Sequence, residues 1–352
     1  MEDLLGREEV RLEKDLLRLS YENKRILVTG AGGSIGRELV RQICRYRPAR
    51  LGLLDFGEFN LFQAEMMCRE DFPAILLSTY LTDIRDKGAI LRTFGEFKPE
   101  VVFHAAAYKH VPIQELHPRE TICNNVLGTR NLVEAANDEA VERFVLVSTD
   151  KAVRPTNVMG AAKRVAEIYL QGMNGNSSTR YMAVRFGNVL GSSGSVVPIF
   201  QQKIAQGQPV TVTDPEVTRY FMSIPEAAQL ILQAGAMGQG GEIFILDMGK
   251  PIRIVDMARD LIRLHGLEPG KDIPIRFTGL RPGEKLYEEL ITVGEGIEGT
   301  THEKIRVIRQ KRSESLEEID RAIGDLIAVA ESYDEWAIKQ KLKEIVPEYT
   351  PQ

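Results

Sequence analysis

The residues best equipped for chemistry are Ser148-Thr149-Asp150-Lys151, which end an apolar run starting at Phe144, and Met159-Gly160-Ala161-Ala162-Lys163 just beyond. Lys163 lies four residues after Met159, hence on the same face of a helix. A hydroxyl, a carboxylate and two amines gathered at a strand end offer a hydrogen-bond donor and an acid/base pair. In water Asp150 and Lys151 both prefer to be ionised, the wrong state for an acid and a base. The site must therefore shift them: Lys163 is a nearby positive charge expected to depress the Lys151 pKa, and burial penalises charge on both groups.

A second group is Thr29-Gly30-Ala31-Gly32-Gly33-Ser34-Ile35-Gly36, after the apolar run Arg25 to Thr29. Glycines at 30, 33 and 36 permit a tight strand-to-helix turn and let backbone approach a pyrophosphate, whose charge then sits at the helix N-terminus with Ser34 and Ile35. Asp55 ends the next apolar run 19 residues after Gly36. A carboxylate there accepts hydrogen bonds from ribose hydroxyls and repels a 2′-phosphate, which favours NAD over NADP.

The elements that must position these groups are legible as alternating periods. Buried-strand runs at 25–29, 51–55, 74–80, 101–105, 144–148 and 181–186 are separated by helix-like stretches, the first of them 34–45. Strands alternating with helical segments predict an α/β fold: a Rossmann-like, doubly wound parallel sheet, joined by a smaller, mostly C-terminal substrate-binding region. The expected division is an N-terminal arm or linker over 1–22, a dinucleotide-binding domain over 23–190 to which 221–247 returns, and a substrate region with surface helices over 191–220 and 248–352.

Composition narrows the class further. The 352 residues are 43% apolar, ample for a core, and the net charge of −5 argues against nucleic acid as a partner. Cys44, Cys68 and Cys123 have no C-x-x-C spacing, and the five histidines include no H-E-x-x-H pair, so reduced thiols and no catalytic metal are expected. No run reaches the ~20 apolar residues of a membrane span, and the first residues are too charged for a signal peptide.

Taken together, the glycine turn, Ser148-Thr149 and Lys163 resemble the extended short-chain dehydrogenase/reductase family, whose Tyr-x-x-x-Lys pair lies on the helix after the Ser/Thr strand. Met159 stands at the tyrosine position. With Asp150-Lys151 directly after Thr149, that departure resembles one branch: the nucleotide-sugar 4,6-dehydratases, specifically the UDP-N-acetylglucosamine enzymes of the large, membrane-anchored polysaccharide-biosynthesis type. His104-Ala105-Ala106-Ala107-Tyr108-Lys109-His110, Asn125-Val126-Leu127-Gly128-Thr129, Arg185-Phe186-Gly187-Asn188 and Gly279-Leu280-Arg281-Pro282-Gly283-Glu284 carry the resemblance, which spans Lys24 to Leu290. Leu4-Leu5-Gly6-Arg7-Glu8 is similar to the junction before the catalytic domain of the anchored members.

The resemblance implies a hydro-lyase that oxidises carbon 4, eliminates water across carbons 5 and 6, and returns hydride to carbon 6, leaving a 4-keto-6-deoxy sugar nucleotide for surface polysaccharide or glycoprotein glycan synthesis. Thr149, Asp150, Lys151, Met159 and Lys163 are the implied reacting-centre positions. Lys151 would act as base at carbon 5, Asp150 would assist the leaving hydroxyl, and Thr149 would bond the 4-oxygen. Asp150 through a water or Tyr108 would take the proton of the 4-hydroxyl. NAD would lie on Gly30, Gly33, Ser34, Ile35, Gly36, Asp55, Asp83, Ile84, Ala105, Ala106, Ala107, Lys109, Asn125 and Lys163; the UDP-sugar on Lys109, His110, Asn188, Arg219, Arg281 and Glu284. A homodimer is implied, located in the cytoplasm or, for an anchored full-length protein, at the cytoplasmic face of the inner membrane. A 4-epimerase of the same fold and a non-catalytic NAD-sensing regulator are the alternatives.

Overall fold

The computed structural model describes residues 10–291, 296–309 and 314–351. The junction motif at 4–8 and part of the glycine-rich break near 294 lie outside them. Six strands, β1 (Arg25–Thr29), β2 (Arg50–Asp55), β3 (Leu77–Leu81), β4 (Val101–His104), β5 (Arg143–Val147) and β6 (Arg180–Arg185), pair in parallel in the order 3-2-1-4-5-6. Strands β1, β2, β4, β5 and β6 are almost wholly buried, because crossover helices cover both sheet faces. The order reverses between β1 and β4, and the crevice at the carboxyl ends of those strands is where such folds bind ligands.

A seventh parallel strand, Ile243–Leu246, joins β6. The chain then departs from its expected division. Ile305–Ile308 and Ile297–Gly299 add two antiparallel strands to the same sheet. The helices Leu316–Ala330 and Glu335–Ile345 place Ile319, Ile323, Leu326, Ile338 and Leu342 in one core with Phe144, Val165 and Tyr181. Residues 297–309 and 314–349 therefore pack as part of the large sheet layer. The apolar positions of that tail bury against the helix Val158–Met173, which carries Lys163.

The smaller unit has its own core of Leu190, Val197, Phe200, Val210, Phe221, Val255, Leu261 and Ile273. At the amino end, the helix Lys14–Tyr21 buries Leu17 and Tyr21, and the Tyr21 hydroxyl donates to the Leu232 carbonyl at 2.6 Å. The arm is thus docked on the sheet layer, with an amphipathic helix whose inner face fills the core.

Candidate functional site

One cleft of about 980 Å³ runs from the glycine turn to the smaller unit. Gly30 sits at φ 67°, and a Cβ there would meet Ala106 N at 2.7 Å; one on Gly36 would meet Gly30 O at 1.9 Å. Only glycine allows this close passage of turn, helix and β4. The helix Ser34–Cys44 begins with no side-chain cap, so its first N–H groups face the cleft open to an anion. Asp55, at the end of β2, accepts from Gly32 N at 3.0 Å and Gly57 N at 2.9 Å, which fixes the turn it borders.

Gly33, Ser34, Ile35, Gly36, Ala105, Ala107, Lys109 and Lys163 line this end of the cleft. Gly30, Asp55, Asp83, Ile84, Ala106 and Asn125 are not among the lining residues. The Asp83 carboxylate is taken by the Arg85 guanidinium at 2.6 Å, and Ile84 is buried against Gly128. Asn125, in a π-helical segment Ile122–Leu127, receives Tyr108 N and donates to Tyr108 O, both at 2.9 Å, and so pins the backbone of a cleft residue.

His104 ends β4 fully buried, bonded to Thr29 Oγ1 at 2.8 Å and Thr129 Oγ1 at 2.9 Å. The Thr129 hydroxyl spends its proton on Asn125 O, so His104 Nε2 donates to Thr129 and Nδ1 accepts from Thr29. Burial, then the charge of Lys163, push His104 well below the ordinary range, which keeps it neutral in that tautomer. Its role is to lock β1, β4 and the Asn125 segment together.

At the expected reacting centre, Lys163 donates to Val147 O at 3.0 Å, and burial pushes its pKa down to about 8 against the pull of Glu167. Met159, one turn before it, lines the cleft and is buried. Ser148 turns away, donating to Glu167 Oε1 at 2.7 Å; Glu167 also binds Arg185 at 2.7 Å and Arg164 at 3.1 Å. Arg185 therefore braces β6 against the Lys163 helix from inside the core.

Lys151 lines the cleft, and its ammonium donates to Asp150 Oδ1 at 3.0 Å and Asn188 Oδ1 at 3.2 Å, with Glu288 Oε1 at 3.7 Å. The expected depression of its pKa is not found. Burial does oppose the charge, and Arg219 adds to it, but Asp150 and Glu288 outweigh both and raise the group. Lys151 rests as an ammonium because two carboxylates face it. Asp150 is fully buried behind Thr149, whose hydroxyl donates to Asp150 Oδ1 at 2.9 Å.

His110, Asn188, Arg219, Arg281 and Glu284 line the far end of the same cleft. Arg219 donates to Thr218 O at 2.7 Å, Leu286 O at 3.2 Å and Glu284 Oε1 at 3.2 Å, which ties the Gly279-to-Glu284 loop to the smaller unit. Gly283 O accepts from Thr156 and Asn157 at 3.1 Å, and Lys285 donates to Val153 O at 3.0 Å, so the loop also clasps the segment after Lys151. The loop from Gly191 to Ser195 crosses back: Ser193 N donates to Ser34 Oγ at 3.1 Å, and Gly194 rests on the His110 ring. Glu288 and Glu167 are the residues sequence reasoning missed. Glu288 follows the matched Gly279-to-Glu284 motif by four positions, and that proximity was its one available signal.

A switch-point cleft with a glycine turn at one end and a strand-end Thr and helix Lys in its wall defines the class: an extended short-chain dehydrogenase/reductase fold. Within it, the chain belongs to the polysaccharide biosynthesis protein family, whose sequence profile matches residues 26–310. It is 51% identical over 330 residues to the capsular polysaccharide biosynthesis protein CapD of Staphylococcus aureus, covering 93% of this chain and 55% of that protein. The chain thus spans about half the length of that relative. It is 33% identical to a UDP-N-acetylglucosamine 4,6-dehydratase (inverting) of Campylobacter jejuni, covering 77% of this chain and 78% of the other.

Among solved structures, Pen from Bacillus thuringiensis superposes with a TM-score of 0.76 at 32% identity, over 84% of this chain and 90% of that one. DesIV of Streptomyces venezuelae, a dTDP-glucose 4,6-dehydratase double mutant solved with NAD and DAU bound, shares the fold at a TM-score of 0.67 and 23% identity, over 76% and 88%. Among the described residues no helix is long and apolar enough to cross a membrane.

Proposed function

We propose that the chain is an NAD-dependent dehydratase acting on UDP-N-acetylglucosamine and yielding a UDP-4-keto-6-deoxy-N-acetylhexosamine. The observation that carries this reading is the hydrogen-bonded set Thr149, Asp150, Lys151 and Asn188 in the wall of a cleft shared with the glycine turn, where Met159 leaves no tyrosine to work with Lys163. The 33% identity to the Campylobacter enzyme supports the substrate class.

NAD fits the residues present. The glycines at 30 and 36 make a cradle that a Cβ would fill, and the uncapped helix start suits a pyrophosphate. Gly33, Ser34, Ile35 and Gly36 would hold that group, Asp55 the adenosine ribose and Lys163 the nicotinamide ribose. When bound, NAD supplies the temporary oxidation at carbon 4 that makes the carbon-5 proton acidic. Lys151, once it has shed a proton, takes that carbon-5 proton, and Thr149 can turn from Asp150 to donate to the 4-oxygen. Asp150, buried against both, passes the proton gained from the 4-hydroxyl to the departing 6-hydroxyl. Arg219 and Arg281 suit the diphosphate, and Glu284 a ribose hydroxyl pair.

The test is incubation of the NAD-loaded protein with UDP-N-acetylglucosamine in deuterated water. Expected is a product lighter by one water, carrying deuterium at carbon 5, with no net NADH. A product of unchanged mass would assign 4-epimerisation instead, and NAD binding without UDP-sugar binding would assign a sensor.

A further inference from the structure

A base at carbon 5 needs a free lone pair on Lys151, yet the ammonium's hydrogens are already directed at oxygens of Asp150 and Asn188, with Glu288 beside them. Its surplus proton must have a destination within the cleft wall. Asp150 Oδ1 already receives both the Thr149 hydroxyl and the Lys151 ammonium. Asp150 Oδ2, like Glu288 Oε2, is buried without a hydrogen-bond partner among the described residues, but Glu288 differs in accepting no hydrogen bond at either oxygen: its Oε1 has Lys151 Nζ only at 3.7 Å and Arg219 Nε at 3.9 Å. A buried carboxylate without hydrogen bonds is poorly stabilised as an anion and gains most from a proton.

We infer that Glu288 is a positioning residue that holds the proton Lys151 must give up, so that Lys151 and Glu288 exchange between an ammonium–carboxylate pair and an amine–carboxylic acid pair. One N–H bond on Lys151 breaks and one O–H bond on Glu288 forms; no other atom or electron pair is gained or lost. Lys151 then takes the carbon-5 proton, which exchanges with solvent, and carbon 5 is reprotonated with a solvent-derived proton after hydride delivery, while Glu288 keeps its own. The role rests on the dehydratase reading above.

The surroundings favour the exchange. Burial raises Glu288, and the Asp150 charge raises it further, while Lys151, Arg219 and Lys285 pull the other way with a smaller total. Lys151 faces Asp150, Glu288 and Arg219, and its charge is also felt by Lys109. A sugar nucleotide that fills the cleft and excludes water removes the solvation that supports the charged pair, and so moves the balance toward the neutral one.

Proton count gives the test. In the parent protein the resting and reactive forms of the pair hold the same number of protons, so their exchange adds no pH dependence to kcat across the neutral range. In Glu288→Gln the proton must leave to solvent, and kcat acquires a limb that rises toward tenfold per pH unit until the amine titrates. Glu288→Asp, which keeps a carboxylate, is expected to restore the level profile at reduced rate. Trinitrophenylation of Lys151 without sugar nucleotide reads the amine directly: E288Q is expected to move its titration to lower pH by about one pH unit or more, since an opposing charge has gone.

Profiles of parent and E288Q that run parallel, or a Lys151 titration unmoved by E288Q, overturn the inference. Should E288Q fail to fold by melting and NAD retention, E288D decides: a rising limb there overturns it as well. A parent protein that forms no 4-keto-6-deoxy product refutes the dehydratase reading instead, whereas an active parent with a parallel E288Q refutes only the role of Glu288.

Discussion

Lys163→Met is expected to make the protein more stable at neutral pH. Lys163 is buried, and its pKa falls from 10.5 to about 8 because burial outweighs the attraction of Glu167. Between those values the folded protein binds fewer protons than the unfolded one, so this group's contribution makes stability rise with pH across that window. Below pH 8 the fold bears the whole cost of the buried cation, roughly 3 kcal/mol at 1.36 kcal/mol per pH unit. Methionine fills similar volume without charge but loses the bond to Val147 O, worth about 1 kcal/mol. The net expectation is a gain of about 2 kcal/mol at pH 7, reduced to nothing or a slight loss near pH 10.5. Urea denaturation of both proteins without nucleotide, from pH 6 to 10.5, measures this, and other titrating groups cancel in the difference. A variant less stable than its parent at pH 7, or a gap that stays constant toward pH 10.5, would refute the reasoning.

Other substitutions test the remaining parts of the site. Lys151→Met is expected to lower dehydration by about 10²- to 10⁴-fold, the usual span for an acid/base group, with NAD retained by absorbance, whereas Met159→Ala keeps measurable turnover; equal damage from both would reverse the division of roles. Gly36→Ala drives a Cβ toward Gly30 O and is expected to abolish NAD binding in calorimetry, with unchanged affinity counting against the cradle. Arg185→Leu strips the fully buried Glu167 of its bidentate partner and is expected to cost about 3 to 5 kcal/mol in urea denaturation. Burial opposes the Glu167 charge, but Arg185, Arg164 and Ser148 hold its pKa below the ordinary carboxylate range, so the parent keeps this contribution above the unfolded pKa and loses it as pH falls through the folded one.

The parallel strands and the glycine turn were legible because both are local signals: short apolar runs bounded by glycines, each read within a few residues. Thr149, Asp150 and Lys151 were legible as a group for the same reason, being adjacent. The charge state of Lys151 was not. It depends on Glu288, which approaches from an irregular segment with no periodicity to announce it, and on the burial of Asp150 behind its own neighbour. The tail was misplaced for a related reason. Its apolar stripe fixes that the helices are amphipathic, but not which surface they cover, and the surface turned out to be the helix bearing Lys163. Arg185 had no role assigned from the sequence, because a strand-end arginine reads the same whether it points to the cleft or, as here, to Glu167.

The contact between Ser193 and Ser34 has a kinetic consequence. It carries the smaller unit's loop across the turn where the pyrophosphate of NAD would lie, while Gly194 rests on His110. A dinucleotide seated under that crossing is expected to leave more slowly than it would from an open turn. One dinucleotide is then expected to serve successive cycles like a prosthetic group. Steady-state rates should then follow the concentration of sugar nucleotide alone, and weakening the crossing with Ser34→Ala should turn a resident cofactor into an exchanging one, visible as a new dependence of rate on added NAD.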